Sequence, residues 1–217
     1  MHLDKIFGHT LIAELFDKAG WVAIPLGICS ILALAVVFER LFTYTRLRTA
    51  EDVAYQALFT ALSNGDTGRL ADPALASAPV THIMNVLVAL RGVSPESMQQ
   101  AADIAYGVQR LRLRRYLSTL ATIGNIAPYI GLFGTVLGVQ SAFQLLSSAN
   151  AGAERMSGGI SEALSATALG LLVAIPSVAA YNFLLGELQK HLLQIQGHVA
   201  HLIPFLQTSA VRERERV

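Results

Sequence analysis

The sequence predicts an all-α polytopic membrane protein with three transmembrane helices, N-terminus outside and C-terminus inside. Its long helices extend into a cytoplasmic helical bundle. Three observations predict this. From Tyr116 to Ala153 there is no Asp, Glu, Lys or Arg, and from Met156 to Gly186 there is only Glu162. Runs of ~18 or more apolar residues read as membrane spans. Hydrophobic residues make up 53% of the 217-residue chain and charged residues 14%, against about 25% charged in a soluble domain. Basic residues cluster in 46–115 and in the tail, whereas the loop between the last two spans holds only Arg155. That bias sets orientation.

Each element follows in order. Residues 1–19 read as an amphipathic interfacial helix on the outer side. Leu3, Ile6, Phe7, Leu11, Leu15 and Phe16 recur at helical spacing among Asp4, Lys5, Glu14 and Asp17. A packed soluble helix or a frayed terminus fits the same pattern. The acids and the lack of a small-residue cleavage site argue against a signal peptide. The first span covers 20–45, with Trp21 and Tyr44 as interface aromatics. Glu39 and Arg40 fall near its end.

Residues 46–115 form a cytoplasmic helical region. Asp66, Gly68, Pro73 and Pro79 interrupt it, and Ser94 with Pro95 opens a new helix as N-cap and first helical residue. That helix is expected to run on into the second span, 116–147, because no breaker precedes Pro128. A short outer loop, 148–157, leads to the third span, 158–187. Residues 188–217 form a cytoplasmic C-terminal helix and a charged tail.

The last two spans carry stripes of small residues. Gly124, Pro128, Gly131, Thr135, Gly138 and Ala142 alternate steps of four and three, with Gly134 widening the stripe. Gly159, Ala163, Ala166, Gly170, Ala174 and Ser177 do the same in the third span. Small stripes let helices approach closely where lipid supplies no hydrophobic drive. They imply tight packing, within or between subunits, with or without a pore.

Three polar side chains stand in this setting. Thr135 lies near the middle of the second span and Thr167 near the middle of the third. Glu162 lies roughly 7.5 Å further out than Thr167 along the axis. Hydroxyls can line a polar lumen or bond back to their own helix. An ionisable group inside a span is a functional candidate by default, and Glu162 can instead lie hydrated at the outer interface. A net charge of +1 points to neither nucleic acid nor an acidic substrate. The single Cys29 makes no internal disulfide and has no metal-ligand spacing around it. No nucleophile–base pair, metal constellation or phosphate loop stands out, so neither an enzyme nor a cofactor is expected. His191, His198 and His201 read as helix-surface residues.

LATIGNIAPYIGLFGTVLGVQSAF (Leu120 to Phe143) and GGISEALSATALGLLVAIPSVAAYNFL (Gly158 to Leu184) resemble the second and third spans of the ExbB/TolQ proton-channel family, most like the ExbB branch. The resemblance is strong over about Arg110 to Glu187. Glu39 and Arg40 closing the first span also fit. Ser161, where many members have Ala, and Leu137, where many have Trp, depart from the pattern without touching the three polar positions.

The resemblance implies a stator subunit in the bacterial inner membrane that assembles as a symmetric homopentamer. The second and third spans would line a lumen holding the single transmembrane helices of an ExbD-like or TolR-like partner, whose Asp carries the proton. It places Thr135 and Thr167 in that lining and matches Glu162 to the family's glutamate. It implies a TonB-like periplasm-spanning protein and TonB-dependent import of iron complexes and cobalamin in the ExbB branch. In the TolQ branch it implies outer-membrane constriction. A gliding motor or a non-conducting scaffold for a bitopic partner are the alternatives.

Overall fold

The computed structural model of the chain describes residues 19–64, 72–90, 93–147 and 153–214. The interfacial helix expected over 1–19 lies outside the described residues except for Ala19, as do 148–152 of the short loop and the end of the tail. Among the described residues every element is helical. A 3₁₀ turn, Gly20–Val22, leads into α1 (Ala23–Ser63). A second turn, Pro73–Leu75, precedes α2 (Pro79–Ala89), α3 (Pro95–Arg114), α4 (Leu117–Ser147) and α5 (Ala153–Arg214). The helices α1, α4 and α5 are long and apolar enough to cross a membrane.

Two of these helices run further than the spans they contain. The helix α1 passes Tyr44 without a break, and α5 continues for 62 residues, through Gly186 and Glu187. Leu, Glu, Gln and Lys around the second point favour helix. Lys190 Nζ donates to Glu187 Oε1 at 2.7 Å, one turn apart.

The expected continuous helix from Pro95 into the second span is corrected. The helix α3 stops at Arg114, and Tyr116 takes a φ of 68°. Such a left-handed residue costs roughly 1–2 kcal/mol. The cause is tertiary. Arg40 Nη1 and Tyr44 Oη on α1 donate to the Leu113 carbonyl at 3.3 and 3.1 Å. They satisfy an acceptor that the helix end leaves free. Arg40 is also paired with Glu39.

The chain divides into two compact units, one of residues up to Phe38 with Tyr116–Phe183, the other of Glu39–Arg115 with the chain from Leu184 on. In the first, α4 and α5 run antiparallel with backbone close to backbone. A Cβ built on Gly170 would lie 2.8 Å from Ala127 O and 3.1 Å from Gly131 Cα.

The second unit has an aliphatic core. Leu188, Leu192, Ile195, Val199, Leu202 and Leu206 alternate steps of four and three along α5, and all are buried. Leu58 on α1 and Ile83, Met84 and Leu87 on α2 are buried in the same unit. The helix α3 packs on α2, and Ser94 Oγ accepts the Ser97 amide at its start, at 3.4 Å.

Candidate functional site

The site is built on the facing glycines of α4 and α5. A Cβ on Gly131 would lie 2.8 Å from Ala166 O and 3.0 Å from Thr167 Cα. One on Gly134 would meet Ala166 Cβ at 2.7 Å and Val22 at 3.1 Å. Gly138 faces Ala163 (2.7 Å), and Gly159 faces Ala142 (3.1 Å). Gly124 faces a larger side chain, Val178, at 2.6 Å. The two stripes thus meet each other inside one chain. At one level the facing residue is Ala127, which is buried, and not the half-buried Pro128 beside it.

This register sets the level of the polar residues. Thr167 lies level with Gly131, Thr135 about a turn further along α4, and Glu162 beside Ala163 at the level of Gly138. The two threonines behave differently. Thr135 Oγ1 donates to the Leu132 carbonyl at 2.7 Å, so its helix satisfies it. Thr167 Oγ1 is buried with no hydrogen-bond partner. A buried hydroxyl without a partner costs roughly 1–3 kcal/mol, and an isosteric apolar side chain would avoid that cost. No hydrogen bond joins Thr135, Thr167 and Glu162 to one another.

Glu162 is exposed within the chain. Its carboxylate rests on Gly20, in the space that a Cβ there would occupy. Gly20 has a φ of 59°, so glycine fits twice over, by backbone conformation and by space. Trp21 meets Phe133 edge to face at 6.1 Å. Ala19 and Val22 are buried. The 3₁₀ turn therefore seats the start of α1 on α4 and α5 beside Glu162. Sequence reasoning gave Gly20 no role. The available signal was a glycine directly before the interface Trp21.

The exposed faces of α4 and α5 are broadly apolar: Tyr129, Val136, Phe143, Leu164 and Ile175 are exposed. Among the described residues no cluster of three or more His, Cys, Asp or Glu forms a metal centre.

His191 and His198 correct the surface reading, whereas His201 is exposed as expected. His191 is buried, and its Nε2 accepts from Arg48 Nε at 3.2 Å. Arg48 also reaches Glu187 at 2.6 Å. His198 is half-buried and stacks on Tyr55 at 4.0 Å, and Tyr55 Oη lies 3.0 Å from His201 Nδ1. The spacing of 191 and 198 places both one residue before buried Leu192 and Val199, which was a readable signal for the inner face.

Residues 70–197 match the MotA/TolQ/ExbB proton channel family. The putative biopolymer transport protein ExbB-like 3 of Synechocystis is 30% identical over 167 residues, 75% of this chain and 80% of the relative. The Tol-Pal system protein TolQ of Pseudomonas aeruginosa is 42% identical over 96 residues, 42% of each chain. The biopolymer transport protein ExbB of Aquifex aeolicus is 36% identical over 107 residues, 49% of this chain and 69% of the relative. With all-helical architecture, three long apolar helices and a family match over more than half its length, the chain belongs to the MotA/TolQ/ExbB proton channel family.

Proposed function

We propose that the chain is an ExbB-like stator subunit of a proton-driven motor in the bacterial inner membrane, and is not an enzyme. Together with an ExbD-like partner it energises TonB-dependent import across the outer membrane. The single observation that carries the reading is Thr167. Its hydroxyl is buried without a partner where α5 approaches Gly131 of α4 closely, in a chain whose family is a proton channel. A group costly to bury and needless for packing is best explained by what passes it.

Arg46, Arg48, Arg110, Arg112, Arg114, Arg115 and Lys190 favour a cytoplasmic bundle. The broad apolar faces of α4 and α5 favour lipid and further copies around a symmetric pentamer. Thr and Gly hold a proton poorly, so a partner helix with an intramembrane carboxylate completes the path. One charge crossing 100 mV is worth ~2.3 kcal/mol, and a few protons suffice for a mechanical step. A TolQ-like role in outer-membrane constriction is the second reading, favoured by the 42% identity to TolQ within its shorter match.

The test is a mild-detergent purification of the tagged chain from native membranes, with partners identified and mass measured. A small single-span partner with an intramembrane Asp, at a mass near five copies of the chain, supports the stator, and the partner's kind separates the two branches. Assembly without such a partner, or energised uptake that survives both Thr167→Val and Glu162→Gln, would leave a non-conducting scaffold.

A further inference from the structure

The second unit holds two polar groups that the proposed function does not use. Glu51 lies on α1 beyond Tyr44, outside the span. Its side chain is 6% exposed. Its Oε2 accepts the Val80 amide at 3.3 Å, in the first turn of α2. Its Oε1 lies 3.7 Å from His198 Nδ1 on α5. Both of these atoms are buried and neither has a hydrogen-bond partner. Thr81 Oγ1, next along from Val80, is buried and unpartnered too. Tyr55 holds the His198 ring in place by face-to-face stacking, with 15° between the planes. Closing the gap by about 1 Å around one shared proton would satisfy both atoms at hydrogen-bond length.

We propose that Glu51 and His198 form a buried proton-binding pair, a titrating centre separate from the polar residues of the spans. In the protonated state Glu51 Oε1–H donates to Nδ1 of a neutral imidazole whose Nε2 carries the other hydrogen. When that proton leaves for solvent, the carboxylate keeps the Val80 amide. The imidazole turns its own N–H to Nδ1, so the pair passes from neutral to one negative charge. The His198 side chain is 22% exposed against 6% for Glu51, so the imidazole is the route between the carboxylate and water.

The surrounding groups agree. Burial pushes Glu51 up to about 7, with neighbouring Asp52 adding to the rise and the Val80 amide opposing it. Burial pushes His198 down, opposed by Asp52 and aided by His201. On α2, His82 is exposed. On α3, Asp103 and Tyr106 line a small pocket with Ile83 and Val199. His191, two turns before His198, is engaged with Arg48.

The test is infrared difference spectroscopy of the full chain in detergent, titrated from about pH 5 to 9 and read at the protonated-carboxyl band. The expected band titrates near pH 7, disappears in Glu51→Gln and persists in Glu162→Gln. Gln keeps the shape of Glu51 and an oxygen for the Val80 amide. In His198→Phe, which keeps the ring on Tyr55 but removes the N–H that faces the carboxylate in the deprotonated state, the midpoint rises by about one unit, tenfold in proton affinity, because a bond to the charged form is stronger than one to the neutral form. A band that survives Glu51→Gln overturns the proposal, as does a midpoint that His198→Phe leaves unchanged. Should Glu51→Gln not fold, the His198→Phe midpoint decides alone.

Discussion

In the span unit glycines bring backbone against backbone, Gly131 against Ala166 and Gly170 against Ala127. In the bundle unit the buried groups are large aliphatic side chains, Ile195 and Leu202 of α5 and Leu87 of α2 among them. The same helices, α1 and α5, contribute to both units, so helix propensity does not explain the difference. The solvent does. Lipid gives no reward for burying Leu, so close approach and dispersion must hold the spans. Water does reward it, and the bundle buries large apolar groups. Polar groups follow suit: the spans hold few, and the bundle stitches Arg48, Glu187, Glu51 and Tyr55 into hydrogen bonds.

The contrast breaks most visibly at Gly170. A Leu there has no room against Ala127 O and Gly131 Cα. Gly170→Leu should push the helices apart at a cost of about 3 kcal/mol or more. The expected outcome is loss of monodisperse protein in detergent, read by size-exclusion chromatography, whereas Leu171→Ala on an exposed face should leave the profile unchanged. In the bundle the opposite change is the damaging one. Ile195→Ala deletes a fully buried side chain and should cost about 2–5 kcal/mol, read as a lower midpoint of thermal unfolding.

Acidity should separate the units next. Glu51 binds its proton more tightly folded, at about 7, than unfolded, near 4.5. A raised carboxyl contributes stability that is full below the unfolded value and lost as pH rises through the folded one. The bundle should therefore weaken between about pH 4.5 and 7, by at most about 3 kcal/mol. His198 is lowered and works in the opposite sense below about pH 6.5, so the net slope is shallower. Amide exchange of the first turn of α2, corrected for intrinsic rates, should lose protection over that window, and Glu51→Gln should flatten the trend. An unchanged slope in Glu51→Gln would remove Glu51 as its source.

A smaller effect tests the seat of the first helix. Gly20→Ala adds a Cβ where the Glu162 carboxylate lies and strains a φ of 59°. Gly20→Asn adds the same Cβ on a residue that tolerates that backbone. Both should displace Glu162 and raise its reactivity toward a carbodiimide, with Ala less stable than Asn by about 1 kcal/mol. Reactivity unchanged in both would mean that the carboxylate does not depend on the turn.

What the sequence made legible divides along the same line. The three apolar helices, the small stripes and the Ser94 start of α3 follow from local pattern, because periodicity and charge are local quantities. The break at Tyr116 does not, since its cause is Arg40 and Tyr44, some 70 residues earlier, taking the Leu113 carbonyl. The burial of Glu51 was equally hidden, because only the fold brings α2 and α5 to it. Gly20 lies between these cases. The residue invited a turn, but the carboxylate filling its missing side chain came from 142 positions away.

Thr167→Val should have the smallest effect on stability, and in the unusual direction. The change keeps the shape and removes a buried hydroxyl without a partner, so the chain should be unchanged or up to about 1 kcal/mol more stable. Thr135→Val loses a satisfied bond to the Leu132 carbonyl and should be neutral or slightly weaker. If packing alone selected residue 167, valine would serve better than threonine. Proton-driven uptake measured beside thermal stability separates the two demands. A Thr167→Val chain that is as stable as the parent, assembles normally and fails to energise uptake would assign the hydroxyl to proton passage. One that energises uptake normally would return Thr167 to the helix interface, where its methyl group is all that α4 requires.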